Sequence, residues 1–423
     1  MDLTAAVERP RVAIARAPAA AAESHGWDAL LVAVAAYVMT AVGRIHQLFG
    51  ALEILHLAAL AGVFAVVLYF IDSRPERRAG LLRGSTSTLV ALLLFWMVMS
   101  TPFALSVGAS VDLVFNNFLK TALMSFVVAG AVRRVEDVER LVLVYFVSAV
   151  IYSMVVMTRF NLGDGGSWRL GHLYYYDAND FATFVVTAIP FGIYFLHAAE
   201  KTSTRVVAAV GLVVLTLGFG WSGSRGGFIA LAAVAAFILL RYSAIPMRWR
   251  VAATALVAVV LLTTASDRYW QQMETITSED DYNHTSETGR LQIWKRGLGY
   301  MLANPLLGVG PNNFPAAEGT LSPLAERQQY GIGVRWNAPH DCFVQIGAET
   351  GLPGLGLFIA IIISAFAALR QARGAALTPA LTASLIGFVV GGCFLSLAYS
   401  EMLYTLVAFA VGLRKVTAYA TTV

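Results

Sequence analysis

The sequence predicts an all-α polytopic membrane protein with about twelve transmembrane helices and one large external loop subdomain. Three observations carry that prediction. Of 423 residues, 58% are hydrophobic and only 13% charged, a balance outside the range of soluble domains. Apolar runs long enough to cross a bilayer, about 20 residues each, recur from Trp27 to Leu413 with short polar breaks between them. A single long polar segment, Asp267 to Cys342, interrupts them.

The elements follow in order. Residues 1–26 form a tail that carries Arg9, Arg11 and Arg16 and an Ala-rich stretch, Ala17 to Ala22, but no apolar run. The tail therefore lacks the shape of a cleaved signal peptide, and span one is expected to be an uncleaved anchor. Spans one to nine occupy residues 27–266, with centres near Val34, Val63, Leu93, Leu123, Phe146, Val186, Val213, Val234 and Val257. Residues 267–342 form the external subdomain. Spans ten to twelve occupy residues 343–414, centred near Ile362, Phe388 and Leu406, and residues 415–423 form a second tail. No internal repeat of the kind that marks many transporters is visible.

Orientation follows from the basic residues, because Lys and Arg beside short loops resist translocation. With a cytoplasmic N-terminus, 19 of the 30 basic residues fall on inner segments, among them Arg74, Arg77, Arg133, Arg140, Lys201, Arg250, Arg370 and Lys415. The short outer segments hold only Arg44, Lys120, Arg159, Arg169 and Arg225. Both termini are thus expected inside and the long loop outside. The net charge of +4 is explained by these flanks, and the loop itself is more acidic than basic, so no nucleic-acid partner is expected. Cys342 and Cys393 are the only cysteines, which excludes a disulfide framework.

Within the loop, Ser286 or Thr288 can cap a helix on which Leu291, Trp294, Leu298 and Leu302 recur at helical spacing. That helix is expected to be amphipathic, lying on the membrane or over the spans, and to stop at Asn304-Pro305. Four external segments stand out: Tyr174 to Asp180, Ser222 to Gly227, Gly289-Arg290, and Pro339-His340-Asp341. A charge at a span mouth is costly unless it meets a polar cavity or a partner. Arg225 lies among small residues that allow backbones to approach, so its guanidinium can point into the bundle. Taken singly, each residue also has a plainer reading: Arg225 as a headgroup contact, His340 as a helix-entrance residue, Arg290 as a solvated charge.

Together, Ser224-Arg225-Gly226, Gly289-Arg290 with Trp294, Asn304-Pro305-Leu306-Leu307-Gly308-Val309-Gly310, and His340 with Gln345, Glu349, Gly351 and Gly354 resemble the O-antigen ligase and polymerase family of bacterial membrane glycosyltransferases. The likeness runs from about Tyr174 to Gly356. It implies a C-class membrane glycosyltransferase-like fold in the Gram-negative inner membrane, with the loop in the periplasm. It implies a donor glycan on undecaprenyl diphosphate and, for ligases, a lipid A-core sugar as acceptor, with membrane lipids around both. Polymerases of the family extend the glycan, and other relatives transfer it to a protein hydroxyl. The commoner family pattern has Asn or Ser after the histidine, where this chain has Asp341.

The residue types suit that chemistry. A glycosyl diphosphate carries its own leaving group, and no Walker loop or dinucleotide motif is present, so no cofactor is expected. Arginine forks stabilise a departing diphosphate better than water does, which makes Arg225 and Arg290 the candidate diphosphate ligands. Direct attack by an acceptor hydroxyl inverts the sugar centre and needs a base, and His340 is the candidate. Donation of a hydrogen bond to phosphate is its other open role. Arg335 and Arg169 are further candidates for phosphate or acceptor contacts. The run Glu279-Asp280-Asp281 reads as a solvated charge run, Tyr174 to Tyr176 as an interfacial aromatic belt, and Asp177 and Asp180, spaced i, i+3, either as sharing a site or as part of a cap on span six through Asp177 or Asn179. Histidines 46, 172 and 284 lack metal-ligand spacing, so metal-independent activity is expected. A lipid-linked glycan transporter is the reading from another class.

Overall fold

The computed structural model describes residues 26–78, 85–159, 168–170, 175–242, 245–325 and 337–420, and every regular element among them is a helix. The bundle comprises α1 (Ala29–Val42), α2 (Leu57–Ile71), α3 (Ser85–Phe103), α4 (Val107–Ala131), α5 (Val135–Arg159), α6 (Ala178–Ala198), α7 (Thr202–Ser222), α8 (Arg225–Arg241) and α9 (Met247–Thr264). Loop helices α10 (Asp267–Glu274) and α11 (Arg290–Ala303) follow, then α12 (Cys342–Gln371), α13 (Thr378–Gly392) and α14 (Glu401–Ala420). Among the described residues, seven helices (α3 to α7, α9 and α12) are long and apolar enough to cross a membrane, and α1, α2 and α13 are shorter apolar helices. Each span centre named from the sequence lies inside one of these helices, α8 and α14 included.

Helix α6 forms the centre of the bundle and packs against α5, α7, α8 and α13. Of its most apolar window 83% is buried, against 6% for α9, which sits at the periphery. Thr187 inside α6 finds partners across the bundle, as burial in a low-dielectric medium favours, whereas the buried Thr183 hydroxyl has no hydrogen-bond partner among the described residues. Thr187 shares a hydrogen bond of 2.7 Å with Tyr145, and its carbonyl accepts one from Ser384 at 2.6 Å.

Each end of the bundle carries its own charges. At the end where α1 begins, Asp28 caps α1 through Leu31 N and meets Arg74, Arg77 and Arg133. There Arg77 also pairs with Asp72 and is almost fully buried, and Asp137 pairs with Arg133 and Arg140. Lys415 adds a hydrogen bond to Gly130 O at 2.9 Å. The end where α1 finishes carries Arg44, Asp177, Arg225, His340 and Glu401, beneath the loop.

The sequence Asn304 to Gly310 fastens the loop to α12. Helix α12 is broken at Gly351, whose φ of +72° favours glycine, and a Cβ there would lie 2.3 Å from the Leu306 carbonyl oxygen. The turn supplies what the break leaves unpaired: Val309 N donates to Ala348 O at 2.9 Å and Gly310 N to Glu349 O at 3.0 Å. In return Leu352 N donates to Pro305 O at 2.8 Å. Trp96 and Ser100 of α3 donate to Thr350 O and Leu307 O, so bundle, turn and broken helix are tied together.

Candidate active site

His340 is the last residue before the cap of α12, and its backbone is held from three directions. Trp294 of α11 donates to Pro339 O at 2.9 Å, His340 N donates to Ser396 Oγ at 2.9 Å, and Asp341 caps α12 by accepting from Phe343 N and Val344 N. Its φ of +47° lies in the left-handed region, unusual for a residue with a Cβ, and such conformations persist where surrounding contacts over-determine them. The imidazole is half-buried, and its pKa lies below the ordinary histidine value because burial disfavours the cation and the Arg290 charge adds to that. Asp177 opposes the shift. Asp is, with Asn and Ser, among the side chains best suited to an N-cap, the role Asp341 takes here. Burial raises the Asp341 pKa, while the two backbone hydrogen bonds oppose the rise.

Arg225 opens α8. Gly223, at φ +59°, ends α7 in the left-handed conformation, and Ser224 caps α8 by accepting from Gly227 N at 3.1 Å. A Cβ at Gly226 would fall 2.7 Å from Phe394, so this glycine lets α8 abut the segment that holds His340. The guanidinium turns toward the loop rather than into the bundle. It donates to Thr275 Oγ1 at 2.6 Å and to Asp281 Oδ2 at 2.8 Å, and it lies 5.7 Å from the Tyr282 ring centre.

Arg290 opens α11, and its capping residue is Gly289, not Ser286 or Thr288. The reason is steric: a Cβ at Gly289 would lie 2.5 Å from Tyr282 O, so only glycine admits the 281–285 turn this close. Among the described residues the Arg290 side chain forms no hydrogen bond or ion pair. Burial lowers its pKa, and the positive charges of Arg225 and Arg169 act in the same direction against Tyr282 and Asp177. Arg169 is shifted down by burial too, with the Arg225 charge adding to the fall and Asp177 opposing it. Arg225 and Arg290 line a shared cleft of about 210 Å³ with Asp281, His284, Leu291 and Trp294.

Arg225 and Arg290 share the cleft, and Arg169 and His340 lie within electrostatic reach of Arg290 without lining it, while Arg335 lies outside the described residues. Several sequence expectations are corrected. The acidic run is not wholly solvated, because Asp281 is ion-paired to Arg225, which holds its carboxyl below the ordinary range. Helix α11 buries Ile293, Gly297, Tyr300 and Met301 against the broken helix α12, whereas Leu298 and Leu302 are exposed and Leu291 and Trp294 line the cleft. Gly297 decides the face, since α12 comes closest where no side chain intervenes. Tyr176 belongs to the core, with its hydroxyl bonded to Val42 O, instead of an interfacial belt.

Sequence reasoning missed two participants, Asp281 and Asp177. Asp177 was legible as the cap of α6, which it is, accepting from Asn179 N and Asp180 N, or as sharing a site with Asp180. No local signal marks it as the carboxylate facing His340, Arg169 and Arg290. Among the described residues no group of three His, Cys, Asp or Glu side chains is arranged to hold a metal.

Residues 210–359 match the family model described as O-antigen ligase. A search of curated proteins finds no match to the chain. That matched segment contains Arg225, Arg290, the Asn304–Gly310 turn and His340, so the part of the chain that is similar to the O-antigen ligase domain is the part that holds the candidate site.

Proposed function

We propose that the chain is an O-antigen ligase, moving a glycan from undecaprenyl diphosphate to a lipid A-core sugar hydroxyl. The reaction would occur at the periplasmic face of the Gram-negative inner membrane, with both termini cytoplasmic. The observation that carries the reading is Arg290: a half-buried guanidinium, without an ion-pair partner among the described residues, set beside Arg225 and Arg169 and acting on the imidazole of His340. A cluster of guanidinium groups with too few carboxylates is suited to a multiply charged anion.

The acceptor hydroxyl oxygen attacks the anomeric carbon as the bond from that carbon to the diphosphate oxygen breaks. The leaving undecaprenyl diphosphate takes the electron pair, and its growing charge is met by Arg225 and Arg290. His340 accepts the hydroxyl proton. Its lowered pKa favours neutral imidazole near neutral pH, the form a base requires. One displacement inverts the sugar centre. The charge of the leaving group is matched by arginines, so the reaction needs no metal.

The test is a purified-protein assay with the lipid-linked glycan donor and lipid A-core acceptor, without ATP or added cation. Glycosylated lipid A-core supports the reading. Glycan elongation without capped core would instead indicate a polymerase, and movement of donor across a bilayer without product would indicate a transporter.

A further inference from the structure

A second groove, of about 410 Å³, lies between α1, α2 and α4 and shares no lining residue with the diphosphate cleft. Its polar end is formed by Arg44, Asn116, Asn117, Lys120 and Glu401. Arg44 is only 9% exposed, pairs with Glu401 at 3.1 Å and lies 3.6 Å from the Tyr175 ring centre, yet its Nε has no hydrogen-bond partner. A buried donor left unpaired is costly unless something supplies an acceptor. Arg44 is also held at φ +52°, in the left-handed region, which fixes its approach to the groove.

Lys120 is exposed at the rim and makes no hydrogen bond or ion pair with another described residue. Among the residues that line the groove, Arg44 and Lys120 are the cations and Glu401 the carboxylate, with Asp112 beside them as the acceptor for the Asn116 amide at 2.8 Å. The apolar walls open outward: Val63 is 61% and Val67 47% exposed. Cations and amides at the head of an apolar trough complement a net-anionic lipid whose phosphate sits among them and whose chains run along the walls.

Two short segments join this groove to the reaction centre. Tyr175 lies against Arg44, while Asp177, two residues further, lies within electrostatic reach of His340. Ser396 holds the His340 backbone, while Glu401, five residues further, holds Arg44. We infer that the groove between Arg44 and Lys120 seats the phosphate-bearing membrane anchor of the acceptor lipid, on a site separate from the donor cleft. This rests on the transfer reading above.

The experiment compares the full-length wild-type protein with Lys120→Glu, Val63→Trp and Arg225→Ala, purified in nanodiscs of phosphatidylethanolamine doped with lipid A. Lys120 and Val63 are exposed, so neither change disturbs packing. Co-purified lipid A is measured by native mass spectrometry without donor, and the KM for acceptor is measured with donor. The inference predicts at least tenfold less retained lipid A and a tenfold higher acceptor KM for Lys120→Glu and Val63→Trp. Donor KM stays unchanged, and Arg225→Ala retains lipid A as wild type does. Wild-type retention in both groove variants overturns the inference, as does lost retention with unchanged acceptor KM. If wild-type protein makes no product, the transfer reading fails, while the retention comparison still decides the groove.

Discussion

Trp294 and Pro339 are joined by a hydrogen bond of 2.9 Å from the indole nitrogen to the carbonyl oxygen. Arg290 lies one turn before Trp294 on the same helix, and His340 follows Pro339. The bond therefore couples the proposed leaving-group ligand to the proposed base. Replacing Trp294 by Phe keeps most of the ring contact and removes the donor. A neutral hydrogen bond contributes about 1 kcal/mol net, so kcat should fall roughly fivefold, with KM for both substrates little changed. Steady-state kinetics check this, and a change confined to KM would contradict it.

Arg225 is paired with Asp281 at 2.8 Å, and both side chains are mostly buried. The carboxylate occupies a guanidinium that a diphosphate would also use. Asp281→Asn keeps the shape and removes one negative charge from the cleft, so donor KM should fall several-fold. A higher donor KM would mean that Asp281 helps to bind the donor instead of competing with it.

The pH dependence follows from His340. Its folded pKa lies below the ordinary value of about 6.5, so the base is free at neutral pH and kcat/KM should fall along an acid limb with a midpoint under about 6.5. The same group affects stability. Between the two pKa values the unfolded chain binds the extra proton, so this contribution is complete above about 6.5 and is lost as pH falls through the folded pKa. His340→Gln should flatten that part of the Tm-against-pH curve. A midpoint above 7 would contradict the burial argument.

Position 341 is a cap, so substitutions there should follow capping ability. Asp341→Ser should leave stability and activity close to wild type, whereas Asp341→Ala should cost about 1 kcal/mol by removing the acceptor for Phe343 N and Val344 N. Thermal denaturation of the two variants checks it. Equal loss in both would assign Asp341 a role in the chemistry.

Helix positions were legible in the sequence because hydropathy alone sets the length of apolar runs, and each predicted centre from Val34 to Leu406 lies in a helix. Arg225, Arg290 and His340 could be named as candidates from the sequence, since polar residues at span mouths and glycine-flanked arginines stand out against an apolar background. What was hidden depends on long-range contact. Leu298 and Ile293 belong to competing apolar stripes on α11, and only the approach of α12 at Gly297 chooses between them. Asp281 looks like any exposed acid until Gly289 lets its turn close on the start of α11. The Asn304–Gly310 turn has no visible partner in sequence, because the carbonyls it meets are released by the break at Gly351, more than forty residues away.

The most direct test is single-turnover transfer from undecaprenyl-diphosphate glycan by Arg225→Ala and Arg290→Ala. If each guanidinium stabilises the departing diphosphate, each change should slow the chemical step roughly 100-fold or more, in line with the loss of one preorganised oxyanion donor. Wild-type rates in both variants, with folding intact, would contradict the account.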